Sequence, residues 1–202
     1  GSSINAEQIA MSAGGAIALD GSQLTAGSID LSGDSLSLGD TTLASTDLAL
    51  RQFSGDLAFG NFEGSALSLT ADGGSISAGN IDADSLEVSS ANNLTLGNLT
   101  INEALSLAAG DTVGTQILIG DIAYGGALDF SYANADLTLG DVSAQALSIE
   151  LGNGDAHFDN VDADSVEVFA AGISSLGSGI NAEQITMTSG GVLALDGSQL
   201  TA

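Results

Sequence analysis

The last 26 residues of this chain repeat its first 26. Gly1-Ser-Ser-Ile-Asn-Ala-Glu-Gln-Ile9 returns as Gly177-Ser-Gly-Ile-Asn-Ala-Glu-Gln-Ile185, and the match runs on to Thr25-Ala26 and Thr201-Ala202. Twenty of the 26 paired positions are identical, at a constant offset of 176 residues. A chain that restarts itself reads as part of a tandem array, in which the number of repeats sets the length.

A shorter period lies inside the long one. Large apolar residues recur at Ile4, Leu24, Leu43, Phe62, Ile81, Leu99, Ile122, Val142, Val161, Ile180 and Leu200, at steps of 18 to 23 residues. A second series follows at Ile9, Ile29, Leu48, Leu67, Leu86, Leu105, Leu128, Leu147, Val166 and Ile185. Two residues beyond lies a third: Met11, Leu31, Leu50, Leu69, Val88, Leu107, Phe130, Ile149, Val168 and Met187. Nine units fill the 176 residues from Ile4 to Ile180, about 20 residues each.

Within a unit the pattern alternates, as in Leu137-Thr-Leu139 and Leu147-Ser-Ile149. Period two with one buried face means strand, and no stretch carries a capped 3.6-residue pattern. The chain is therefore expected to be all-β: a parallel β-solenoid, or β-helix, of roughly ten coils and no helices. Residues 1–176 form one super-repeat of nine coils and 177–202 begin the next, in a single continuous solenoid. Proline is absent, which suits ladders that need every backbone N–H.

The turns repeat as well. Gly39-Asp40, Gly60-Asn61, Gly79-Asn80, Gly97-Asn98, Gly120-Asp121 and Gly140-Asp141 occupy equivalent corners, and Asn160 continues the line. These glycines are expected to supply positive φ, and the stacked Asn/Asp side chains to satisfy bent backbone between coils.

Charge limits the partners. The chain carries 26 acidic residues against one Lys/Arg, Arg51, for a net charge of −25. Its 44% hydrophobic content, held in register, separates it from disordered acidic chains. Ten coils at about 4.8 Å give about one charge per 2 Å of axis, close to duplex DNA at about 1.7 Å. Nucleic acid is excluded as a partner, and no apolar run is long enough for membrane insertion. Divalent cations, glycans and cell surfaces remain. Without cysteine there is neither a disulfide nor a thiolate site.

Catalytic chemistry finds little purchase. Arg51 and His157 lie about six coils apart, and only His157 could activate a hydroxyl nucleophile. A flat threonine ladder of the ice-binding kind is broken, because Ala58, Ser77 and Leu118 share the column of Thr95 and Thr138. The chain is read as a non-enzyme. A carbohydrate-active β-helix enzyme or glycan-binding module is the alternative, and would need a cleft. The longest irregularity, Ala108 to Gln116, is a short run of small and polar residues.

One acidic cluster stands out. Asn80-Ile-Asp-Ala-Asp-Ser-Leu-Glu-Val88 recurs as Asn160-Val-Asp-Ala-Asp-Ser-Val-Glu-Val168. Asp82 and Asp84 flank Ala83 and should face solvent. Glu63 falls in the column of Asp82, and Asn181 and Glu183 fall in those of Asp162 and Asp164. Carboxylates stacked at about 4.8 Å repel unless a cation lies between them. Calcium, which takes six to eight oxygens, is the candidate ion for Asp162, Asp164 and Glu183, and for Glu63, Asp82 and Asp84.

The segments Leu24-Thr-Ala-Gly-Ser-Ile-Asp-Leu31 and Ile76-Ser-Ala-Gly-Asn-Ile81 set apolar pairs around a small Ala-Gly step. In this the whole chain resembles the repeats of filamentous haemagglutinin-like proteins, the large exoproteins of two-partner secretion. The resemblance implies a right-handed β-helix, export across the outer membrane of a Gram-negative bacterium, and a secreted or cell-surface role in adhesion, aggregation or biofilm. The expectation is a structural fibre or adhesin stalk, continued by, or self-associating end to end with, identical repeats.

Overall fold

A computed structural model describes residues 2–38, 41–175, 179–194 and 199–201. Strands are the only regular secondary structure among them, and every strand pair is parallel. The chain winds as a β-solenoid of ten coils plus the first strand of an eleventh, each coil laying one strand on each of three faces.

The first face stacks eleven coils in the order of the chain, from Ser3–Asn5 through to Gln199–Thr201. In coils 2 to 6 its strand runs on without a break into the second face. These strands, Gln23–Gly33, Thr42–Gln52, Phe62–Ala71, Ile81–Ser90 and Leu99–Ala108, are 10 or 11 residues long. From coil 7 onward the two faces separate, as Ile122–Tyr124 and Ala127–Tyr132, then Val142–Ser143 and Ala146–Leu151. The third face carries three- or four-residue strands such as Leu57–Phe59, Leu94–Leu96 and Asp155–Phe158.

The apolar columns expected from sequence follow the ladders, except that Leu43 and Phe62 of the first column are not paired, because Thr42–Gln52 meets Phe62–Ala71 only from Asp47↔Ala66 onward. Phe62, Ile81, Leu99, Ile122, Val142, Val161, Ile180 and Leu200 are successive partners on the first face. Ile9, Ile29, Leu48, Leu67, Leu86 and Leu105 are partners on the second, as are Leu128, Leu147, Val166 and Ile185. Alternation sends these side chains inward, where Leu24, Leu31, Leu50 and Ile180 are fully buried. Each such side chain contributes about 1.5–3 kcal/mol by leaving water. The third face adds a column that closes the core: Leu57, Ile76, Leu94, Ile117, Leu137, Ala156 and Ile173.

The corners correct one expectation. Positive φ occurs at Gly21, Gly55 and Gly114, and at none of the described corner glycines. Four of those glycines are required for space, whereas a Cβ on Gly60 would meet nothing within 4 Å. A Cβ on Gly79, Gly97 or Gly120 would collide with the side-chain oxygen of Asn61, Asn80 or Asn98 in the coil below, and one on Gly140 would lie 2.5 Å from that of Asp121. Gly39-Asp40 and, in the second copy, residues 177, 178, 195–198 and 202 lie outside the described residues.

Candidate functional site

The corner between the third and first faces is built by one hydrogen bond repeated coil after coil. Asn61 Oδ1 accepts the Asn80 N–H at 2.8 Å, and Asn80 Oδ1 accepts the Asn98 N–H at 2.9 Å. Asn98 accepts from Asp121 at 3.0 Å, Asp121 from Asp141 at 3.0 Å, Asp141 from Asn160 at 3.1 Å, and Asn160 from Gly179 at 2.8 Å. Asn and Asp are interchangeable here because the bond uses only an acceptor oxygen. Each contributes about 1 kcal/mol, more where the acceptor is charged.

This ladder forms one rim of a shallow groove along the first face. The groove floor is the backbone of Leu99, Ile122, Val142, Val161 and Ile180, and Thr100, Ser143, Asp162, Asn181 and Thr201 form the opposite rim. Nearer the amino terminus, Glu63, Asp82 and Thr100 face Asn61, Asn80 and Asn98 across the same kind of trough.

The structure brings some of the sequence-predicted site residues together. Glu63 and Asp82 are ladder partners, as expected from their columns. Asp162 pairs with Asn181, and the Glu183 N–H donates to the Asp164 carbonyl at 2.9 Å. Asp162, Asp164 and Glu183 line one open groove where the first face turns into the second. Asp82 is exposed, Asp84 is half-buried, and Ala83 between them is buried. Asparagine amides serve two of these carboxylates: Asn181 Nδ2 donates to Asp162 at 2.8 Å, and Asn102 Nδ2 to Asp84 at 3.2 Å. Among the described residues, no three His, Asp or Glu side chains converge closely enough to hold a metal ion.

On the second face the acids are diluted. The exposed column of the second face reads Asp30, Ala49, Ser68, Glu87, Ser106, then Asp129, Ser148, Glu167, Thr186. No two carboxylates are adjacent in it. A neutral neighbour on each side puts successive charges at least two coils apart, about 10 Å, near the screening length at physiological salt.

Three polar groups fall outside this scheme. Arg51 holds Asp72 through Nε at 2.9 Å and lies over the Phe53 ring, so the one guanidinium is already engaged. His157 Nδ1 shares a 2.9 Å hydrogen bond with Ser174 Oγ of the next coil, a pair that sequence reading missed because 17 residues separate them. Asp111 accepts the N–H groups of Ala133 and Asn134 at 2.8 and 2.7 Å, which hold its carboxyl below the ordinary value of 3.8.

The second face is not continuous. The strand Leu99–Ala108 pairs along its length with coil 5, but with coil 7 only over residues 99–101. Ala127–Tyr132 then begins a separate four-stranded sheet. The two tyrosines of the chain flank this break. Tyr124 stands at an inward corner position that holds Ala83 in coil 5 and Ala144 in coil 8. Tyr132, paired with Leu151, reaches back to the Leu107 carbonyl at 3.4 Å. Burial pushes its hydroxyl above the ordinary value of 10.0.

No family model, curated protein or solved structure matches the chain. No helix among the described residues is long and apolar enough to cross a membrane.

Proposed function

We propose that this chain is a section of a structural, non-enzymatic fibre: an extracellular adhesin stalk or matrix filament of the filamentous haemagglutinin-like kind, secreted to the surface of a Gram-negative bacterium. The observation that carries the reading is register. Ser3, Ile4 and Asn5 pair with Gln23, Leu24 and Thr25, and 176 residues later Gly179, Ile180 and Asn181 pair with Gln199, Leu200 and Thr201. After nine coils the stack therefore returns to its own starting register, so units can be added without dislocation. A parallel ladder repeated in this way is stiff along its axis, and each coil is supported only by its neighbours.

The acidic outer faces support the same reading. At a net charge of −25 the rods repel one another, and divalent cations bridge carboxylates on neighbouring rods or across the Asp162, Asp164 and Glu183 groove. Electron microscopy of the native material with calcium and then with chelator tests this. Thin unbranched filaments with an axial spacing near 4.8 Å, bundled by calcium and released by chelator, are expected. Compact separate particles that depolymerise a polysaccharide would overturn it in favour of a carbohydrate-active β-helix enzyme.

A further inference from the structure

We propose that the break in the second face is a docking site for one extended polypeptide strand from a partner protein, read by its apolar alternation and its positive charge. It is one of three internal interruptions of the stack: the third face is also broken between Ser35–Ser37 and Leu57–Phe59, and on the first face residues 42–46 have no partner in the next coil. Residues 104–108 have no ladder partner on the coil 7 side and Ala127–Tyr132 ends its sheet, so both present backbone groups toward the break, where the Tyr132 hydroxyl donates to the Leu107 carbonyl at 3.4 Å. Such edges recruit strands.

Burial gives an independent sign that a neighbour is missing. In the inward columns of the second face, Leu31, Leu50, Leu69 and Val88 are no more than 1% exposed, and Ile149 and Val168 match them. Leu105 and Leu107 are half-buried instead, as are Ile185 and Met187 on the last strand of the same face. An interior strand thus has the exposure of a terminal one.

The occupant follows from the walls. Leu105 and Leu107, half-buried on one side, call for apolar side chains at alternate positions of a parallel strand, whereas Leu128 and Phe130 on the other side are already buried. Asp129 lies on the outward side of one edge, in a molecule of net charge −25, so the intervening positions favour lysine or arginine. Strands of this chain alternate apolar residues with Ser, Asp and Glu, which makes a second copy a poor fit.

Residue-resolved hydrogen exchange on the whole chain tests the proposal, with a synthetic seven-residue peptide alternating valine and lysine as the probe. In the free protein, edge-facing amides of 104–108 and 127–132 are expected to exchange about tenfold or more faster than those of 85–89 and 146–151. The peptide should slow them about tenfold at saturation, and a version with serine replacing valine should not. The proposal is overturned if those amides are already protected in the free protein, or if the serine peptide protects equally, which is charge attraction alone. It is also overturned if protection is confined to 8–12 and 184–189. Protection that appears on raising the protein concentration without peptide would identify a second copy as the occupant and contradict the partner assignment.

Discussion

A Cβ at Gly120 would sit where the side-chain oxygen of Asn98 lies, one coil below and 22 residues earlier. The same oxygen accepts the Asp121 N–H, so glycine and asparagine form one unit across two coils. Gly120→Ala is expected to cost about 1–3 kcal/mol by overpacking, and Asn98→Ala about 1 kcal/mol for the lost acceptor. The double variant should cost less than the sum, because shortening Asn98 frees the space that the new methyl needs. Additive losses in urea melts would contradict the steric account. Asp111 gives a pH signature at the same scale. Its folded pKa lies below its unfolded value, so its stabilisation is present above pH 3.8 and is lost as pH falls through the folded pKa. Asp111→Asn should therefore lower the melting temperature at neutral pH and converge with the parent in strong acid. Tyr132 works in the opposite sense. Its folded pKa is raised, so its contribution is full below pH 10.0 and lost as pH rises through the folded value. Ultraviolet titration should lose its latest-ionising tyrosine in Tyr132→Phe.

At the scale of the element, the three apolar columns were legible in the sequence because each inward position holds a large aliphatic, Met or Phe at every turn. The strand lengths were not. The inward corner residue does not decide whether the strand is continuous, since coils 2 and 5 run through at Ala26 and Ala83 and coil 6 at Ile101, whereas coils 8 and 9 are interrupted at Ala144 and Ala163. The third face was only glimpsed, since its strands are short and Ala78 and Ala156 interrupt its aliphatic run. The break in the second face was hidden more deeply. The 23-residue step from Leu99 to Ile122 reads as a loop insertion at Ala108–Gln116, whereas the split opens on the adjoining face beside Tyr124 and Tyr132. Of the candidate cation residues, the stacking of Glu63 on Asp82 was legible, and the amides that Asn102 and Asn181 donate were not. The break makes equivalent leucines unequal. Leu50→Ala should cost about 2–5 kcal/mol and Leu107→Ala distinctly less, since Leu107 already meets water. Equal losses would mean that the seam is closed. Charge spacing along the columns is testable too. Ser68→Glu, stacked on Glu87, should destabilise by about 0.2–1 kcal/mol at low salt and recover at high salt, whereas Ser68→Gln should do neither.

For the whole molecule, net charge and register act together. Parallel ladders and a shared apolar core bind coil to coil along the axis, while acidic faces oppose contact across it. On the proposed fibre reading, growth along the axis and separation between rods both follow from the same repeating pattern of about 20 residues. The direct test is electron microscopy of chains carrying one, two and three tandem copies of residues 1–176. Straight rods that lengthen by about 43 Å per copy, nine coils at about 4.8 Å, are expected if each unit continues the register of the last. Beads joined by flexible links, or lengths that do not grow in equal steps, would contradict the continuous solenoid.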